Sequence, residues 1–383
     1  MGAYLDHAAS TPARPEALEA WMRVQSDAGN PASTHGHGRI VRATLEDARE
    51  RLAAALGAHP TEVVFTAGGT EAVNLAVHGL ARAGRADGRD AVIVGAAEHH
   101  ATLDAAAALA GDGVEVLSAP VDELGRVRLD ALEPALAARA GRVAVLALLL
   151  ANNEVGTVER VAEVAALAAA TDAPLHWDAV AALGRVPVDF AASGATAMSI
   201  AGHKIGAPAG TGALLVRRGA RIEPLLHGGG QQLARSGTVD VAGAAALSVA
   251  AALAVAELDA HAAALTELAE RLTAGVLAAV PDAVLRGDPV DRLPGSVHVT
   301  IPGVDGEALV LLLDRAGVSA SMGSACRAGV AETSHVLLAM GVDARTARGA
   351  LRLTLGRGST VGDVDAAVAA LAAAVPLARA AFG

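Results

Sequence analysis

Lysine occurs once in this chain, at Lys204, and cysteine once, at Cys326; the other 29 basic residues are arginine (30 Lys+Arg less one lysine). A chain that uses arginine for every other fixed positive charge keeps lysine where arginine cannot serve. A guanidinium stays protonated in proteins, whereas a desolvated ε-amine can lose its proton and attack a carbonyl. Imine chemistry within Ser199-Ile-Ala-Gly-His-Lys204 is therefore the first expectation, set against the plainer one of a solitary surface charge. Cys326 has no partner for an intramolecular disulfide and cannot alone build a tetrahedral metal site, so no metal is expected.

Two other segments carry chemistry of a matching kind. Thr66-Ala-Gly-Gly-Thr-Glu71 follows an apolar run and opens a helical pattern. Glycines there let backbone N–H groups approach an anion at a helix N-terminus, with the Thr70 hydroxyl beside them. It is neither a Walker loop nor a dinucleotide fingerprint, and a plain capped helix explains it equally well. In Leu175-His-Trp-Asp-Ala179 a carboxylate, Asp178, ends a strand-like run, where it can hold a heterocyclic nitrogen protonated or simply cap a helix. His203, next to the lysine, adds a polar group for an anion. An anion cradle, a carboxylate for a ring nitrogen and an imine-forming amine together are what pyridoxal 5′-phosphate requires.

The elements that must position these groups alternate. Apolar runs at 62–66, 91–94, 114–117, 143–150, 174–177 and 198–201 read as short strands, with 212–216 as a further one. Helical patterns at 70–82, 130–140 and 161–170 lie between them. Buried strands separated by helices predict an α/β architecture with a mostly parallel sheet covered on both faces. A long alanine-rich helical stretch then runs from about 238 to 280. Beyond it come strand 296–301, helix 305–316, strand 318–320, helix 333–340, strand 350–355 and helix 362–381, a smaller α+β unit. The expected division is 13–260 as a large cofactor-binding domain, and 1–12 with 261–383 as a small domain carrying the cysteine loop.

The ordered motifs resemble a known family. Tyr4-Leu-Asp-His-Ala-Ala-Ser-Thr-Pro12, Gly29-Asn-Pro-Ala-Ser33, Glu98-His99, Asn152-Asn-Glu-Val-Gly156, Gly202-His-Lys204, His227-Gly-Gly-Gly230, Arg235-Ser-Gly-Thr238, Gly323-Ser-Ala-Cys326 and Leu351-Arg-Leu353 resemble cysteine desulfurases of the NifS/IscS type. These are class V aminotransferases, within the fold-type I pyridoxal-phosphate enzymes. The resemblance runs from Tyr4 to the last helix. It implies that Lys204 holds the cofactor covalently and shuttles protons, Asp178 pairs with the ring nitrogen, and His99 stacks on the ring and assists proton transfer. It further implies that Gly69, Thr70 and His203 bind phosphate, joined by Thr238 from a second subunit of a homodimer. Asn153 contacts substrate or cofactor oxygen, and Arg352 clamps the substrate carboxylate. Cys326 lies among small residues in Ser321-Met-Gly-Ser-Ala-Cys-Arg-Ala-Gly329, which let the loop swing, and Arg327 beside it favours the thiolate. The reaction implied converts L-cysteine to L-alanine, with sulfur passing to Cys326 as a persulfide and onward to an acceptor protein for iron–sulfur clusters or tRNA thiolation. A selenocysteine lyase or C–S lyase on this fold is the alternative within the chemistry, and a sulfur-transfer partner without turnover the alternative outside it.

The chain departs from the family at three places. Ala181 stands where a glutamine contacts the ring hydroxyl, Ala201 where a serine often contacts phosphate, and Gly206 where a tyrosine is common. Composition narrows the rest. A formal net charge of −11 argues against a nucleic-acid backbone as partner. Aromatics at 2% leave alanine, valine and leucine to fill the core. The weakly polar run at 241–256 reads as a buried helix rather than a membrane span, and without a secretory pattern at the N-terminus a cytoplasmic location is expected.

Overall fold

The computed structural model describes residues 2–27, 29–323 and 333–382. The chain opens with strand β1 (Ala3–Tyr4) and helices α1 (Pro15–Gln25) and α2 (Gly36–Ala55). Strands and helices then alternate: β2 (Val63–Thr66), α3 (Gly69–Arg85), β3 (Ala91–Gly95), α4 (His100–Ala110), β4 (Glu115–Ala119), α5 (Leu129–Ala137), β5 (Val143–Leu149), α6 (Val161–Ala170) and β6 (Leu175–Asp178). Strands β7 (Ala197–Ala201) and β8 (Gly212–Val216) follow, with helices α7 (Val241–Ala256) and α8 (Leu258–Ala279) after them. The last third contains β9 (Val284–Leu285), β10 (Ser296–Thr300), α9 (Gly306–Arg315), β11 (Val318–Ser319), α10 (His335–Ala339), α11 (Ala344–Ala347), β12 (Ala350–Thr354) and α12 (Val361–Phe382).

Seven strands form the central sheet in the order β2-β8-β7-β6-β5-β3-β4. Only β8 runs against the others, pairing antiparallel with β2 and β7. The fold is thus α/β with a mostly parallel sheet. Every residue of β3, β5, β6 and β7 is buried, as strands covered by helices on both faces must be. One face packs against α3 and α4 through Leu75, Leu80 and Leu109. The other face meets α2 and α7 through Leu45, Leu52 and Leu247.

A second core gathers Leu5, Leu272, Val297, Val299, Leu309, Leu351, Leu353 and Leu371 around the antiparallel sheet β12-β10-β9. The N-terminal strand joins this part, with β1 pairing parallel to β11.

Two stretches differ from the sequence expectation. The stretch read as one long helix is two, α7 and α8, bent by 70° at Glu257. Glu257 accepts both guanidinium N–H groups of Arg14, at 3.0 and 2.7 Å, and this pair pins the corner. Helix 333–340 contracts to α10 because Ser334 is its N-cap, accepting from the Leu337 N–H. Helix α12 is long and apolar enough by composition to cross a membrane. Its Val364, Ala367, Leu371, Ala374 and Ala378 are buried in the second core, which accounts for that apolarity.

Candidate active site

Five loops leave the sheet at carboxyl ends of strands that run in one direction, and each carries a residue singled out from sequence. Thr66 ends β2 before Gly69 and Thr70; Gly95 ends β3 before His99; Leu149 ends β5 before Asn153; Asp178 ends β6; Ala201 ends β7 before His203 and Lys204. Ligands collect at such a crevice in open α/β sheets. These groups, with Arg352 from β12, line one cavity of about 300 Å³. Thr238 does not: within one chain it lines a separate cavity of about 90 Å³ with Arg235 and Gly210. Cys326 and Arg327 lie outside the described residues.

The amine sits in a desolvated place. Lys204 Nζ donates to the carbonyl oxygens of Ala8 and Ala9, the latter at 3.0 Å. Burial, followed by the Arg352 charge, lowers its pKa to about 8. At pH 7 roughly one amine in ten is then the free base, against about one in three thousand for an ordinary lysine. Asp178 is held by the chain beyond it, its Oδ1 accepting from the Val180 N–H at 2.9 Å. Burial raises its pKa to about 6, and the nearby Lys204 charge opposes that rise. A carboxylate so placed is stabilised by a cation facing it.

Helix α3 begins at the cavity with no side-chain cap, so its first N–H groups remain available to an anion. Gly68 precedes it at φ 153°, a conformation that suits glycine. Gly212 on β8 lets that turn pass, because a Cβ there would lie 2.6 Å from the Gly68 carbonyl carbon. His99 caps α4, its Nδ1 accepting from the Ala101 N–H at 3.0 Å, which leaves Nε2 to carry the ring proton. Burial and the Lys204 charge lower the pKa values of both His99 and His203 to about 4, so both are neutral at pH 7.

Of the two adjacent asparagines, Asn152 is scaffold: its Oδ1 accepts from Glu154 and Val155 N–H groups and its Nδ2 donates to Ala97 O. Asn153 lines the cavity. Arg352 is buried and already engaged, donating to Asp6 Oδ1 at 2.8 Å and to Asn153 O at 3.0 Å. Among the described residues its buried Nε has no partner. Asp6 and the carbonyls of Ala8 and Ala9 were not anticipated as site groups, although they belong to the Tyr4–Pro12 motif. No spacing signal connects that motif to residues 200 or 350 positions away.

The arrangement can hold an anion at the start of α3, a ring nitrogen cation at Asp178, a carbonyl carbon at Lys204 and a carboxylate near Arg352. Comparison with known proteins bears on which molecule unites these features. The family model described as Aminotransferase class-V matches residues 3–367. The chain is 49% identical to an IscS-like cysteine desulfurase of Mycobacterium tuberculosis, over 98% of this chain and 97% of that protein. It is 38% identical to the cysteine desulfurase NifS of Azotobacter vinelandii, over 94% of this chain and 90% of that protein. A solved NifS-like protein superposes with a TM-score of 0.91 at 32% identity, covering 98% of this chain and all (100%) of the other.

Proposed function

Because the chain belongs to the class-V aminotransferase family, among the cysteine desulfurases of the IscS/NifS type, we propose that it converts L-cysteine to L-alanine and takes the sulfur onto Cys326 as a persulfide. The observation that carries this reading is the solitary lysine amine, desolvated in one cavity with Asp178, His99 and Arg352.

The donor set fits pyridoxal 5′-phosphate. The uncapped start of α3, with Gly69, Thr70 and His203, suits its phosphate, and Asp178 its ring nitrogen. Lys204 suits its aldehyde. When bound, this cofactor supplies the electron sink that acidifies the substrate Cα–H and makes its sulfur electrophilic.

The chain's own groups do the rest. Lys204 Nζ would hold the cofactor's aldehyde and would accept the substrate's Cα proton. His99 stays neutral with its proton on Nε2, so it would assist proton transfer as a hydrogen-bond donor that adds no charge beside the ring. Arg352 orients the substrate carboxylate, which must share the guanidinium with Asp6. Cys326 thiolate would form the new S–S bond as the substrate C–S bond breaks; the proton given up by the thiol would end on Cβ and the Cα proton would return from Lys204, so that alanine leaves. The small α+β unit (1–12 and 261–383) would bring Arg352 and the cysteine loop to the large unit (13–260), a division supported by the two separate cores. Thr238, which within its own chain lines a separate cavity, is assigned to a second subunit's phosphate site in a homodimer. The persulfide would pass to an acceptor protein serving iron–sulfur clusters or tRNA thiolation, in the cytoplasm.

The test uses purified protein with pyridoxal 5′-phosphate, L-cysteine and a thiol reductant. The wild type should be yellow and form alanine and sulfide in equal amounts. Lys204→Ala should lose the colour bound at the site, and Cys326→Ser should stay yellow yet release no sulfide. Turnover by Cys326→Ser would make the protein a C–S lyase instead.

A further inference from the structure

Behind Ala181 lies a second cavity of about 30 Å³, walled by His7, Arg185, Ser296 and Thr354. It shares Ala8, Asn153, Ala181 and Lys204 with the main cavity, so the two meet at the amine. Six of its nine lining residues have polar side chains, and its volume accommodates about two water molecules.

Arg185 is the unusual member. It is only partly exposed, and among the described residues it donates a single hydrogen bond, from Nη1 to Pro294 O at 2.8 Å. Burial lowers its pKa to about 10, and among the described residues no carboxylate offsets the effect. A guanidinium carries five N–H donors. Donors and charge left in an interior without an acceptor or counter-charge are costly, so they call for water or an anion. The chamber is the space in which either could meet them.

We propose that this chamber is a hydrated oxyanion subsite, in which Arg185 holds, through ordered water, the negatively charged oxygen of the bound cofactor that lies next to Lys204. The inference rests on the pyridoxal-phosphate reading and deepens it. That cofactor bears its ring hydroxyl on the carbon adjoining the aldehyde, so covalent attachment at Lys204 brings the oxygen to the mouth of the chamber. Ala181 contributes only a methyl group there and leaves the way open. Arg185 acts through water and is a positioning residue.

The sign of its influence is fixed. A cation and donors beside the oxygen weaken proton binding at the Lys204 nitrogen, as Arg352 also does, while Asp6 and Asp178 strengthen it. His99 and His203 in the main cavity, and His7 in the chamber wall, have pKa values lowered to about 4 and stay neutral across the range.

The experiment is a pH titration of the visible band of the cofactor-loaded protein. Arg185→Met should raise the midpoint by about one pH unit, and Arg185→Lys should restore most of the wild-type value. Ala181→Leu fills the chamber but keeps the charge, so it should raise the midpoint by less. A folded Arg185→Met protein with an unmoved midpoint overturns the inference, as do equal shifts in the Met and Lys variants. Should Arg185→Met fail to fold, an unmoved midpoint in Ala181→Leu overturns it. A wild type with no visible band at all would instead sink the cofactor reading; a titrating wild type with unmoved variants sinks the subsite alone.

Discussion

The cavity has two halves held in different ways. On the sheet side, Asp178 and Lys204 sit at strand ends and are fixed by backbone groups: the Val180 N–H for one, the Ala8 and Ala9 carbonyls for the other. Among the described residues neither has an ion-pair partner, and burial moves both pKa values toward neutrality. On the β12 side, Arg352 is held chiefly by another side chain, Asp6, in a pair with the guanidinium buried. The first half stores reactivity by leaving charge uncompensated. The second stores binding capacity in a pair that a substrate carboxylate can enter. Asp178 is thus fixed by the local chain path, Lys204 by backbone carbonyls 195 and 196 residues away, and the recognition group by a side-chain pair across 346 residues.

Substitutions can break that contrast. Asp178→Asn should have the largest effect. The raised folded-state pKa means that ionising Asp178 costs stability as pH climbs from its ordinary 3.8 to about 6, and the full cost persists above that. The cofactor-free Asn variant should therefore be more stable than wild type by up to about 3 kcal/mol at pH 7 to 8, with the gain vanishing below about pH 4. Its affinity for pyridoxal phosphate should fall. Thermal melts across pH, with and without cofactor, check both; a variant destabilised at pH 7 would break the account of the sheet side.

Arg352→Gln should raise KM for cysteine about 100-fold while leaving the visible band, since the recognition group is separate from the reactive ones. Loss of the band with KM unchanged would reverse that assignment. Asp6→Asn strips the partner charge from a buried guanidinium, so it should cost about 1–3 kcal/mol of cofactor-free stability yet lower KM a few-fold, because the substrate carboxylate no longer competes. Denaturant melts and steady-state kinetics on the same preparation give the two numbers. The smallest change is expected at Asp365→Asn. Its pair with Arg271 at 2.7 Å links α12 to α8 with both side chains about half exposed, and should be worth under about 1 kcal/mol.

Much of the sheet side was legible in the sequence. Its strands are short apolar runs, and Gly69, His99, Asn153 and Lys204 each follow one by three or four residues, a local pattern that a linear reading can find. The motif ending at Pro12 was legible as a motif, but not as the source of the amine's acceptors, since nothing local ties Ala8 to Lys204. Arg185 was hidden by abundance: one arginine among 29 carries no compositional signal. The bend at Glu257 was missed because an alanine-rich stretch without proline keeps its helical period, while the corner is set by a partner at Arg14. Helix α12 shows the converse, an apolar composition that the buried contacts of Leu371 and Ala374 explain only once the second core is seen.

The one lysine amine is desolvated before any ligand arrives. Because the chain has a single lysine, protein grown on lysine labelled with 13C at Cε gives one side-chain signal, and its pH titration in the cofactor-free state reads Lys204 alone. The structure requires a midpoint near 8, depressed by burial from the usual 10.5. A midpoint at or above 10.5 would place that amine in water and contradict the account.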